Sequence, residues 1–298
     1  MKKIIATVLG VILSLCLLVG CGEKVEFSYY DTFSNADQEF NKNLFYRNDL
    51  TTYTADPSVI YVTEGEEAGW FYMYGTSDQI GASGYQTWRS KNLTDWECMG
   101  VAFNPDGEDW CRENLWAPEV IFDESDHTYY MFFNASNRIG VSDGSATRKT
   151  QSIGMAYASD PRGPFTMWTG EVPAGTYADG TSYEAYTVTR KTPLVDFTKM
   201  PKNHPLYDGV IKVIDASPFI DENGDKYLFF CHDLGGGGTS HYNTSTIWGM
   251  KMIDWHTPDY STVAKLTETG KTKVTGGDDI REGNVNEAPF MIKNIGNY

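Results

Sequence analysis

Four acidic residues recur beside prolines along this chain. They stand in Ala55-Asp56-Pro57, Trp116-Ala117-Pro118-Glu119, Asp215-Ala216-Ser217-Pro218 and Glu287-Ala288-Pro289. Each motif runs into an apolar stretch, as in Val59-Ile60 or Val120-Ile121. Two carboxyl groups held across a gap can cleave a glycosidic bond. One protonates the leaving oxygen; the other activates water or attacks carbon. In the inverting form they stand roughly 6.5–9.5 Å apart, so that a water fits beside the sugar. A third carboxylate nearby raises the acid's pKa by like-charge repulsion. Two acids suffice for that chemistry, so Glu119 reads as a structural acid that caps a strand end or binds backbone N–H groups.

Short strands punctuated by turns must carry these acids. After Asp56 come an apolar run at residues 58–62, a turn at 64–69, and further strands at 70–75 and 85–90. The second unit repeats the order, with strands at 118–122, 129–134 and 153–159. Residues 170–209, rich in Thr, Gly and Pro, read as an insertion. The third unit has strands at 219–221, 226–231 and 246–253, and a fourth opens at Asn286. No stretch shows sustained helical periodicity. Four-stranded units repeating at long intervals predict an all-β chain folded as a β-propeller. Proline lacks an N–H, so each motif should start the innermost strand of a blade. The recurring acids would then occupy equivalent places around one axis.

Composition narrows the partners. The chain has 298 residues, 41% hydrophobic and 21% charged, which is globular. Its net charge of −16 argues against nucleic-acid binding, which needs a basic face. Lys2 and Lys3 precede an apolar run from Ile4 to Val19, as in a secretory signal. The run ends Leu18-Val19-Gly20-Cys21, which resembles the bacterial lipoprotein box. That divides the chain into a signal peptide at 1–20, a tether and lead-in at 21–50, and a propeller domain at 51–298. Cys21 would carry the lipid and hold the protein in the bacterial cell envelope. Cys98, Cys111 and Cys231 then remain, with no CxxC spacing. At most one disulfide can form among them, and Cys98 with Cys111 is the nearest pair; buried, inert thiols are the default.

Other motifs carry less. Gly140-Val141-Ser142-Asp143-Gly144 matches a serine-hydrolase elbow but lacks the strand and helix that motif needs. Asp221-Glu222-Asn223-Gly224-Asp225 begins like a calcium loop but lacks the later glutamate and reads as a hairpin turn. Gly235–Gly238 has no phosphate-loop lysine. Trp88, Trp116 and Trp248 could stack on sugar, though core positions suit them better.

The four motifs together resemble the blade motifs of glycoside hydrolase family 43. Arg89-Ser90-Lys91-Asn92-Leu93-Thr94-Asp95-Trp96 and Ala158-Ser159-Asp160-Pro161-Arg162-Gly163-Pro164-Phe165 resemble the strand motifs that end its first and second blades. The resemblance runs in order over residues 52–298. It implies a five-bladed propeller, of which this chain holds about three blades and the start of a fourth. It also implies inverting hydrolysis of arabinose- or xylose-containing plant polysaccharides. Carried onto matching positions, Asp56 is the general base, Glu287 the general acid, and Asp215 the residue that tunes and orients Glu287. The family's last blade supplies a histidine, often linked to a central calcium; the reaction itself requires no cofactor. The chain ends at Tyr298, soon after Glu287, so it reads as a C-terminally truncated fragment. A glycan-binding propeller without catalysis, or an inactive fragment of such an enzyme, is the alternative.

Overall fold

The computed structural model describes residues 54–76, 84–105, 109–111, 113–137, 150–195, 197, 212–233, 245–267 and 286–292. Residues 1–53, with the signal, tether and Cys21, lie outside them, as do Gly140–Gly144 and Gly235–Gly238. Among the described residues there is no α-helix. Three four-stranded antiparallel sheets form, each a simple meander. The first contains β1 (Ala55–Tyr61), β2 (Phe71–Thr76), β3 (Tyr85–Ser90) and β4 (Glu97–Phe103). The second contains β5 (Glu113–Asp123), β6 (Thr128–Asn137), β7 (Thr150–Ala158) and β8 (Thr166–Met167). Four short strands follow: β9 (Gly170–Val172), β10 (Gly175–Thr176), β11 (Ser182–Tyr183) and β12 (Tyr186–Val188). The third sheet contains β13 (Val213–Ile220), β14 (Lys226–Asp233), β15 (Ser245–Asp254) and β16 (Thr257–Lys265). These sheets are three blades of a propeller, and β1, β5 and β13 are their innermost strands.

Alternation along the strands builds the core between blades. In β6, Met131, Phe133 and Ala135 pack toward the first blade, while Phe132 packs into the cluster shared with the third. Successive side chains of a strand point to opposite faces, so one apolar strand serves two interfaces. The first interface stacks Tyr85, Phe103, Trp110 and Phe133. The second gathers Phe132, Phe197, Phe230, Trp255 and Tyr260. The described residues of the 170–209 insertion form two small sheets, β9 with β12 and β10 with β11. Its Tyr177 and Tyr183 pack on Tyr260 of β16. Polar ties cross the same interfaces. Trp255 Nε1 donates to Asp123 Oδ2 at 2.9 Å, and Arg162 of the second blade reaches Glu67 of the first at 3.4 Å. Trp88 and Trp248 are core residues, 1% and 5% exposed.

Several expectations change. The inner strands β5 and β13 begin five residues before Pro118 and Pro218, so these prolines lie inside strands. A bulge accommodates the motif in β1, β5 and β13: pairing with the neighbouring strand jumps from Ala55 to Ser58, from Trp116 to Glu119, and from Ile214 to Ser217. A bulged residue makes no ladder bond, and Pro57 and Pro118 fall there, where a missing N–H costs nothing. Strand β16 completes the third blade and lay unmarked in the sequence, because Thr257-Pro258-Asp259 looks like a turn. Residues 286–292 form no strand. The three cysteines are free thiols, with Cys98 exposed and Cys111 and Cys231 buried, so the Cys98–Cys111 pairing is not made.

Phe133 is fully buried at the first interface. Phe133→Ala should lower unfolding free energy by about 3–5 kcal/mol in urea titration. Ile253→Ala, at a site 70% exposed, should change it by less than about 0.5 kcal/mol. Equal effects would contradict this packing.

Candidate active site

The bulges make the site. Inside each one the first unpaired residue has left-handed backbone: Asp56 at φ 49°, Ala117 at φ 41° and Asp215 at φ 55°. Ala288, in the fourth motif, has φ 51°. Such values strain any residue other than glycine, and two of these are alanines, which lack a polar side chain to compensate. The surroundings must therefore hold them. Each preceding blade offers an acceptor to the left-handed residue's amide. Ala117 N donates to Thr76 Oγ1 at 2.8 Å, Asp215 N to Asn134 Oδ1 at 3.1 Å, and Ala288 N to Asp215 Oδ2 at 2.9 Å. Strand pairing explains the reach. Thr76 and Asn134 occupy the same place in their blades, opposite Ala55 and Trp116.

This register corrects the equivalence of the four acids. Asp56 and Asp215 share the left-handed position, with Ala117 and Ala288 as their counterparts. Glu119 lies two residues further on, level with Ser58 and Ser217. Glu287 lies one residue before the left-handed position, which Ala288 holds in its motif. Proline spacing concealed this, because Pro218 sits three residues after Asp215 whereas Pro57 directly follows Asp56.

A cavity of about 500 Å³ opens where the bulges meet. Asp56, Ser58, Glu119, Asp215 and Ala288 are among its lining residues. The structure thus brings Asp56 and Asp215 to one cavity. Glu287 is not in the lining; Ser245 Oγ donates to its Oε1 at 3.3 Å. A second cavity of about 530 Å³ shares Val59, Glu119 and Phe290 with the first and extends toward Asp123 and Lys226. Glu119 stands between the two and accepts from Ser217 Oγ at 3.0 Å. It does not cap a strand end.

Burial pushes the Glu119 carboxyl up to about 8 from an ordinary 4.5, against the opposing effect of the Ser217 hydrogen bond. Asp56 is exposed and Asp215 half-buried. Asp56 Oδ2 accepts from Thr76 Oγ1 at 2.7 Å. Among the described residues no group of three or more His, Cys, Asp or Glu could hold a metal ion. Several acidic side chains lining one cavity can accept and donate protons, which is acid–base chemistry.

The sequence passed over Thr76 and Asn134. A signal existed for Asn134: it closes the apolar run Tyr129-Tyr130-Met131-Phe132-Phe133 as its one polar residue. A buried amide there needs partners, and Asn134 finds Asp215 N and, through its Nδ2, Gln151 Oε1 at 3.1 Å. For Thr76 there was no comparable signal.

Comparison with known proteins agrees with the motifs. Residues 46–184 match the model of glycosyl hydrolases family 43. A thermostable family-43 glycoside hydrolase is 26% identical, with TM-score 0.43, over 67% of this chain and 51% of its own. An endo-1,4-beta-xylanase from Bacteroides thetaiotaomicron is 22% identical, with TM-score 0.47, over 74% of this chain and 54% of its own. An endo-arabinase from the same organism is 19% identical, with TM-score 0.47, over 76% and 62%. The chain thus spans about half to three fifths of the length of these three structures. Among curated proteins nothing matches it.

The raised Glu119 pKa has a sign that can be tested. Folding favours its neutral form, so the stability it contributes is full below pH 4.5 and is lost as pH rises through about 8. Glu119→Gln keeps a neutral side chain at every pH. In denaturant titrations the variant should be more stable than the native chain at pH 9, and the gap should close by pH 4. Parallel stability curves would refute the shift.

Proposed function

We propose that this chain hydrolyses O-glycosyl bonds of arabinose- or xylose-containing plant polysaccharides or oligosaccharides, with inversion. One observation carries the reading: both left-handed positions that hold an acid, Asp56 and Asp215, open into one cavity. In this reading Asp56 is the general base. It takes a proton from a water as that water attacks the anomeric carbon. Glu287 is the general acid and gives its proton to the departing oxygen. One proton is taken and one given, so the products are a sugar hemiacetal and an alcohol. Asp215 serves Glu287 by position, since its carboxylate holds the amide of Ala288, the next residue. No step runs through a metal; a calcium in a further blade would act outside this proton transfer.

We place the protein in the bacterial envelope, tethered through lipid on Cys21, where polymeric glycans are within reach. A second reading, a propeller that holds glycan without cleaving it, has one observation in its favour: Glu287 is outside the lining of the cavity. Calorimetric affinity for arabino- or xylo-oligosaccharides with no product formed would select it.

Asp56→Asn and Glu287→Gln should each lower kcat on aryl arabinosides or xylosides by about 10²–10⁴-fold. NMR of the first product should show the inverted anomer. Unchanged turnover in either variant, or a retained anomer, would overturn the proposal.

A further inference from the structure

We infer that Thr76 is the positioning residue of the general base, fixing which oxygen of Asp56 takes the proton from water. The inference rests on the glycosidase reading above and adds to it a residue on a different strand. Thr76 sits at the end of β2, 3% exposed. Its hydroxyl makes two short contacts. Ala117 N lies 2.8 Å from Oγ1, and an amide N–H can only donate. Oγ1 is therefore the acceptor there. A hydroxyl carries one proton, and the other contact, at 2.7 Å, is to Asp56 Oδ2. The proton of Thr76 goes to Oδ2.

Two consequences follow for Asp56. Oδ2 is committed as an acceptor, and Oδ1 has no hydrogen-bond partner among the described residues. Oδ1 is thus the oxygen left to receive a proton inside the cavity. The carboxylate plane is also fixed, because Thr76 is itself anchored on the second blade through Ala117. An exposed aspartate at a strained φ would otherwise turn freely about its side-chain bonds. Hydrogen bonds in such a chain polarise one another, so the Ala117 amide strengthens the donation to Asp56. The third blade shows why the hydroxyl matters. There Cys231 takes the place equivalent to Thr76, opposite Ile214, and Asp215 bonds the next blade's amide directly. Asp56 does so through Thr76. The two carboxylates are held differently, as suits a base that must keep one oxygen open.

The test uses the full chain with an aryl glycoside. Thr76→Val keeps the shape and removes the hydroxyl. Its kcat should fall on the order of tenfold to a hundredfold, as for a small misplacement of a reacting group, while KM changes by less than about threefold. Thr76→Ser should restore kcat to within about threefold of the native value. In an Asp56→Ala background, Thr76→Val should cost nothing further, because residues acting as one unit are not additive. If Thr76→Val does not fold, Thr76→Cys carries the test. A thiol is a weak donor of similar size, so kcat should fall well below that of Thr76→Ser at unchanged KM. If Asp56→Ala abolishes turnover while Thr76→Val matches the native chain, or Thr76→Ser is as slow as Thr76→Val, the inference alone fails. Equal kcat in Thr76→Cys and Thr76→Ser has the same meaning. If Asp56→Ala leaves turnover intact, the glycosidase reading fails and the inference falls with it.

Discussion

Left-handed backbone at Asp56, Ala117, Asp215 and Ala288 is unfavourable on its own, at about 1–2 kcal/mol for each residue. At Ala117, Asp215 and Ala288 it persists because the blade before each one presents an oxygen to its amide. The site depends on this pairing of strain and support. The bulge turns two acids out of the pleat and into a common cavity. The hydrogen bond from the preceding blade stops that bulge from relaxing into a regular ladder. Strain of this kind is often concentrated where a fold does chemistry.

The support is collective. The amides of Ala117, Asp215 and Ala288 are each held from a neighbouring blade. Interblade packing thus bears directly on the chemistry. Phe133, Trp110 and Tyr85 fix the first and second blades together, and Tyr85 Oη also donates to the carbonyls of Trp116 and Asn134 at 3.2 Å. The aromatic core and the polar site are joined at that hydroxyl. Glu119 shows another use of the same frame. It sits at the register of two serines, half-buried, and its desolvation favours the protonated form near neutral pH.

Much of the fold was legible because strand periodicity and turn chemistry are local. Trp70-Phe71-Tyr72-Met73-Tyr74 and Tyr129-Tyr130-Met131-Phe132-Phe133 could only be buried strands. The turn at Asp221 forms as read, with its Oδ1 accepting from the amides of Asn223 and Asp225. Strand β16 was hidden because Pro258 and Asp259 imitate a loop, and only pairing with β15 reveals its role. The site was legible in part. Asp56 and Asp215 stood out as acids in repeated motifs. Their register did not, because a bulge changes which residue is equivalent to which, and proline position is a poor guide to it. Thr76 was invisible for a different reason: its importance lies wholly in two contacts made across blades.

The claim that bulged inner strands converge their acids on one cavity is open to direct observation. A crystal structure of the Asp56→Asn chain soaked with an arabino- or xylo-oligosaccharide would test it. The account predicts a sugar ring in the cavity of about 500 Å³, within hydrogen-bonding distance of residue 56 and Asp215. Sugar bound elsewhere, or an Asp215 carboxylate turned into bulk solvent, would contradict it.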